Sequence, residues 1–279
     1  MADHRTGIVT DSTADIPAAY LNQFNIRVVP ALITIDGQTF QDNEQFDRAG
    51  FYNKLRNYRS VPTTAAPSPA VFTSAYNELF RDGCQHVISM HVSGELSGIC
   101  DMAISAARDF ANRVHVFDSG QLSLGLGFQV LEAAAAAQAG EPLKQILEML
   151  PKIKQRIRVL AMINKLDYLR RSGRVNWATA GIGSWLRVKM VVGLKDGIVQ
   201  RLAAVRTRAK ALRAMGSRVR EWGPLQRIAV MHTGIYDEAA AFAESLDLQG
   251  TGSATIIDAT TVIGTHIGEG SIGVAGLVR

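Results

Sequence analysis

SPAVFTSAYNELFRDGCQHVISMHV, residues 68–92, is the stretch that sets the fold class. Ser68 and Pro69 suit an N-cap and a first helical position, and Gly83 suits a stop. Between them Val71, Ala75 and Leu79, and likewise Phe72, Tyr76 and Phe80, recur at helical spacing. The apolar run HVISMHV (86–92) then reads as a buried strand. The same alternation continues on both sides. Upstream, Ile8–Thr10 reads as a first strand running into the loop DSTADIP, and IRVVPALITI (26–35) as a second, with Pro30 marking a bulge or an edge. Downstream come a helix from Leu96 to Ala111 and the strand VHVFDS (114–119). Helices from Leu122 to Gln138 and from Pro142 to Gln155 follow, then the strand VLAMIN (159–164). Strands alternating with helices predict a mainly parallel sheet with helices on both faces.

The second half reads differently. VKMVVGLKDGIVQRLAAV (188–205) places Asp196-Gly197 between two apolar runs, a hairpin signal. A basic helix (Ala209–Trp222), the strand IAVMH, a helix (Asp237–Leu248) and the strand ATIIDA complete it. The expectation is α/β throughout: a domain over 1–157 with a mainly parallel sheet and a domain over 158–279 with a mixed sheet.

Bulk properties narrow the function classes. At 279 residues with 47% hydrophobic and 20% charged residues, the chain has the composition of a soluble globular protein. The opening MADHRTG carries no apolar export segment, and the most apolar run, LGLGFQVLEAAAAAQAG, is broken by Gln129 and Glu132 and reads as a buried helix. Cys84 and Cys100 have no metal-type spacing and read as free thiols, so a cytoplasmic location is expected. The net charge of +5 is unevenly spread: Lys152–Arg220 holds 18 Lys/Arg against Asp167 and Asp196 alone, +16 against −11 for the remainder. Such a band suits an anionic partner: nucleic acid, phospholipid headgroups or an acidic protein. Nucleic acid ranks last, because aromatics are only 7% and no binding motif accompanies the charges.

Gly268, Gly270 and Gly273 in GTHIGEGSIGVAG (264–276) spell G-x-G-x-x-G, but the six residues after Gly273 are too few for the helix and strand of a dinucleotide fingerprint. No phosphate loop and no metal-ligand motif occurs either. Instead five loops, TDSTADIP, HVSGELSG, FDSGQLS, PTTAAPSP and the glycine stretch, gather Ser, Thr and Gly. Converging on one crevice, their hydroxyls and backbone N–H groups would suit an anionic headgroup; Asp15, Ser68 and Ser119 read as caps and turns. The alternative is a serine esterase or lipase-like hydrolase using Ser93 or Ser97 with His266 and Asp11 or Asp118, although the G-x-S-x-G elbow is missing.

Taken in order, IVTDSTADIP, PTTAAPSP, SGELSG, VFDS followed by SLGLG, LDYLRRSGRV, VRTRAKAL and VIGTHIGEGSIGVAG make the chain resemble the DegV family over essentially its whole length. The resemblance implies two α/β domains with a long-chain fatty acid bound between them. It implies a carrier without catalysis of its own or a cofactor, which presents the fatty acid to a separate ATP-dependent fatty acid kinase in phospholipid metabolism. It places the carboxylate on Thr64, Ser93 and His266, with Thr63 able to substitute for Thr64, and turns Arg170 and Arg171 toward the protein partner. The basic band would suit that partner or transient contact with an anionic membrane. Ala65, Ala66, Gly94, Ile99 and Glu269 depart from the family's usual residues.

Overall fold

The structure, a computed structural model, describes residues 5–175, 177, 188–246 and 253–279. Three sheets organise them. β1 (Thr6–Asp11), β2 (Arg27–Val29), β6 (His86–His91) and β7 (Val114–Asp118) form a wholly parallel sheet in the order β2-β1-β6-β7. β3 (Leu32–Ile35), β4 (Gln38–Gln41) and β5 (Thr63–Ala65) form a small antiparallel sheet, ordered β4-β3-β5. The third has six strands in the order β10-β9-β8-β13-β11-β12. They are β8 (Ile157–Ile163), β9 (Lys189–Lys195), β10 (Ile198–Val205), β11 (Leu225–His232), β12 (Thr255–Asp258) and β13 (Ile272–Val278). Only β11 and β12 run parallel there, so the expected contrast between a mainly parallel sheet in the first half and a mixed sheet in the second holds. The division placed at 157/158 falls at the first residue of β8.

The helix Pro69–Arg81 buries Phe72, Ala75, Tyr76 and Leu79, the stripe its spacing predicts. Ser68 precedes it in extended conformation but makes no side-chain cap bond. The helix Leu124–Gln138 is buried from Leu124 to Leu131 and again at Ala133 and Ala134. Its core joins Val9, Val87 and Ile88 of the parallel sheet to Ala229, Ala275 and Leu277 of the six-stranded one. A helix packed on several sides has no polar face to display, which explains its nearly unbroken apolar sequence. At the β9–β10 turn Asp196 and Gly197 take φ of 52° and 80°, the paired positive values a tight hairpin needs. Cys84 and Cys100 are buried free thiols. Among the described residues no helix is long and apolar enough to cross a membrane.

Three readings need correction. IRVVPALITI is not one strand: Pro30 separates β2 from β3, and the two join different sheets. Proline cannot donate to a ladder, so the break falls where the chain changes partners. The glycine stretch is not a loop either. It is the end of a helix, Thr261–Ile267, then a turn, then β13 paired on both edges, with β8 and β11. The helix expected over Leu96–Ala111 is shorter, Ile99–Ala107, and ends in a 3-10 turn over Arg108–Phe110. The last residues expected for the helix Asp237–Leu248 lie outside the described residues.

Candidate functional site

Thr64 stands in the middle of β5, opposite Ile33 of β3. His266 lies in the last turn of the helix Thr261–Ile267. The fold brings these two residues together: Thr64 Oγ1 and His266 Nε2 are 2.8 Å apart. Burial first, and then the positive charge of Arg174, push the imidazole down to about 4. At neutral pH His266 therefore carries one N–H and one lone pair. Ile267, the residue after His266, packs against an apolar cluster of Ile163, Leu169, Val175, Met190 and Val192.

Ser93 is buried at the end of β6, under the tip of the β9–β10 hairpin. Its Oγ donates to Gly197 O at 3.5 Å and accepts from Glu95 N at 3.2 Å. Ser93 is thus tied to the hairpin and not to the Thr64–His266 pair. Arg174 donates from Nε to Leu96 O at 3.4 Å, three residues past Ser93, while its charge acts on His266. Thr63 is the exposed neighbour of Thr64 on β5. Arg170 and Arg171 end the helix Leu166–Ser172 and are both exposed. Arg171 donates to Asp167 O at 3.2 Å and lies 5.2 Å from the Tyr168 ring centre.

The glycines of the last motif serve packing. A Cβ on Gly264 would overlap the Tyr52 ring, and one on Gly268 would fall 2.5 Å from Tyr168 Cδ2. Their N–H groups are also committed: Gly268 N donates to Gly264 O at 2.8 Å and Gly270 N to Thr233 O at 2.9 Å. An anion at His266 would therefore be met by side chains and not by these two amides. Glu269 bonds Arg56 and, at 3.0 Å, Lys165. Burial alone would raise its carboxyl, but these two cations hold it below the ordinary carboxylate range.

The residues offered for a hydrolase are committed elsewhere. Asp11 Oδ2 lies 3.0 Å from His91 Nδ1, Asp118 accepts from Gly94 N and Gly120 N, and Ser97 Oγ accepts from Ile99 N. A serine–histidine–aspartate chain does exist elsewhere: Ser89 Oγ is 2.6 Å from His91 Nε2, which leads to Asp11. All three side chains are sealed from solvent, and Tyr76 Oη closes the chain at 2.9 Å from Ser89 Oγ. It is a satisfied polar core with no access for a substrate. Among the described residues no group of three or more His, Cys, Asp or Glu is placed to hold a metal.

Two features escaped the sequence reading. Arg174 lies inside LDYLRRSGRV, just past Gly173, whose φ of 68° ends the helix; the motif marked the segment but not this residue. Asp15, read as a cap, sits in a buried network. Its Oδ1 accepts from Thr260 N at 2.8 Å and its Oδ2 from Ser123 Oγ at 2.5 Å. Ser119 does close a turn, with Gln121 N donating to its Oγ at 3.1 Å.

Comparison with known proteins fixes the family. The model described as "Uncharacterised protein, DegV family" matches residues 5–278. The chain belongs to the DegV family. It is 35% identical over 275 residues to a DegV domain-containing protein of Deinococcus radiodurans, covering 96% of each chain. With one of Streptomyces coelicolor it shares 34% over 271 residues, again covering 96% of each. A solved DegV family protein from Thermus thermophilus, described by its fatty acid binding, superposes with a TM-score of 0.90 at 32% identity, covering 99% of this chain and all of the other. DegV from Bacillus subtilis, described as a fatty acid binding protein, does so with 0.88 at 30% identity and the same coverage.

Proposed function

We propose that this protein binds a long-chain fatty acid, with the carboxylate at Thr64 and His266 and the acyl chain along the adjacent apolar residues. The Thr64–His266 contact carries the reading: a hydroxyl and a neutral imidazole meet at 2.8 Å with the charge of Arg174 nearby. With the ring proton on Nε2, the imidazole donates to Thr64 Oγ1 and leaves the threonine proton free to donate to a carboxylate oxygen. An ionised carboxylate can be buried only where it is hydrogen-bonded, and charge-assisted bonds of this kind are the strong ones. Ser93 joins the headgroup site if the hairpin tip moves off its hydroxyl, with Thr63 as a further hydroxyl on the same strand. Each buried methylene contributes about 0.8 kcal/mol, so a sixteen-carbon stretch supplies on the order of 12 kcal/mol before the costs of ordering. The apolar wall sets affinity and the polar end sets orientation. The similar Thermus and Bacillus proteins described as fatty-acid-binding support the same ligand class.

In the cell, the protein serves as a cytoplasmic carrier with no cofactor and no chemistry of its own. It presents the carboxylate to a separate ATP-dependent kinase, with Arg170, Arg171 and the basic band at the docking face or against anionic lipid. The two halves, 1–157 and 158–279, act as the domains that hold the ligand between them. Protein purified without denaturation should release a long-chain fatty acid when unfolded in the mass spectrometer. Empty protein that also fails to take up added oleate or palmitate overturns the reading.

A further inference from the structure

The helix Thr261–Ile267 has seven residues, including a glycine and several β-branched side chains. Helices this short have little stability of their own, so contacts from elsewhere must fix the place of this one. Its last turn is held from the C-terminal half, where Ser271 Oγ donates to Ile267 O at 3.2 Å and Tyr168 packs on Gly268, whereas the polar contacts at its first turn come from the N-terminal half. Asp15 Oδ1 accepts from Thr260 N at 2.8 Å, and Asp42 Oδ1 accepts from Thr261 Oγ1 at 2.9 Å. Tyr52 Oη lies 2.8 Å from Ala259 O and 3.0 Å from Thr260 O, and Arg48 Nη1 donates to Asp258 O at 3.4 Å. The Tyr52 ring also fills the space at Gly264 that a Cβ would need.

Asp42 reaches the other member of the pair as well. Its Oδ2 accepts from Ser12 Oγ at 2.9 Å, and that hydroxyl accepts from Ala31 N at 3.1 Å. Its own N–H donates to Ala31 O at 2.8 Å. Ala31 leads directly into β3, where Ile33 pairs with Thr64. One buried carboxylate thus ties the strand pair that carries Thr64 to the first turn of the helix that carries His266.

We infer that Asp42 and Tyr52 are positioning residues for the Thr64–His266 pair, setting the distance and orientation of two groups that neither of them touches. The inference rests on the headgroup reading for its purpose but not for its geometry. A hydrogen-bonded headgroup site must be held to a fraction of an ångström, which requires supporting contacts of this kind.

The test compares Tyr52→Phe and Thr261→Val with Tyr76→Phe, which removes a buried tyrosine hydroxyl beside Ser89, away from the helix. The probes are oleate affinity by calorimetry and the ring nitrogen resonances of His266 in histidine-labelled, ligand-free protein. Tyr52→Phe should weaken oleate binding about tenfold and move the His266 resonances. Thr261→Val should act in the same direction, and Tyr76→Phe should do neither. Resonances and affinities that match the Tyr76→Phe control in both clamp variants overturn the inference. Should wild-type protein bind no oleate, the ligand assignment fails while the resonances still decide the positioning. Should Tyr52→Phe not fold, Thr261→Val decides alone.

Discussion

Asp15 and His266 stand at opposite ends of one short helix, and burial drives both toward neutrality from opposite sides of the pH scale. Burial pushes the Asp15 carboxyl up to about 7, against the lowering influence of Arg48 and Ser123. It pushes the His266 imidazole down to about 4, with the charge of Arg174 adding to it. Asp15 is sealed, with Thr260 N and Ser123 Oγ each donating to a different carboxylate oxygen. His266 is half-buried and shares its Nε2 with Thr64. The end with its hydrogen bonds closed off holds the fold, and the end with capacity to spare is where a ligand can act.

Breaking the comparison should therefore give different failures. Asp15→Ala strands a buried backbone N–H and a buried hydroxyl, and should cost about 3 kcal/mol in urea unfolding. An unchanged midpoint would make that end as dispensable as a surface turn. His266→Ala should cost the fold less, about 1 kcal/mol, while weakening oleate binding by roughly tenfold, the scale of one neutral hydrogen bond, because Thr64 loses the donor that frees its own proton for the carboxylate. A stability loss with undiminished affinity would move the function away from His266.

Titration sharpens the contrast. A carboxyl whose folded pKa is raised holds more protons folded than unfolded between about 4 and 7, so its contribution to stability falls as pH rises across that window. An imidazole whose folded pKa is lowered holds fewer protons folded between about 4 and 6.5, so its contribution is present above that range and is lost as pH falls through it. The two slopes oppose each other below pH 6.5. Relative to wild type, Asp15→Asn should make stability climb more steeply with pH in this window, and His266→Gln should make it climb less. Parallel urea midpoint curves against pH for all three proteins would refute both assignments. The smallest effect is expected at Glu269→Gln, which weakens the links to Arg56 and Lys165 and should cost about 1 kcal/mol, reduced by added salt. A salt-independent loss would point to packing instead.

How much of this was legible depended on how local each signal is. The helix Pro69–Arg81, β6 and the Asp196-Gly197 hairpin rest on spacing and turn chemistry within a few residues, and all three read correctly. Pro30 announced an interruption, but nothing in alternating apolar residues says which sheet a strand will join. The helix Thr261–Ile267 was hidden because its glycine and β-branched residues argue against helix, and Tyr52, Asp42 and Asp15 supply its support from more than two hundred residues away. At the site, the family motifs marked Thr64 and His266, which the fold does bring together. They also marked Ser93, which it places under the hairpin tip. Asp15 was misread because a carboxylate after a strand looks alike whether it caps its own loop or reaches across the molecule.

The position of β13 bears on how the protein is made. Among the described strands β8 and β11 are joined within the sheet through β13, which lies between them, although it is synthesised after both. As the chain leaves the ribosome, the six-stranded sheet must wait as two fragments with exposed edges until Ile272–Val278 emerges to zip them together. That interval is where chaperone dependence should concentrate. The parallel sheet, complete once β7 has appeared, faces no such delay.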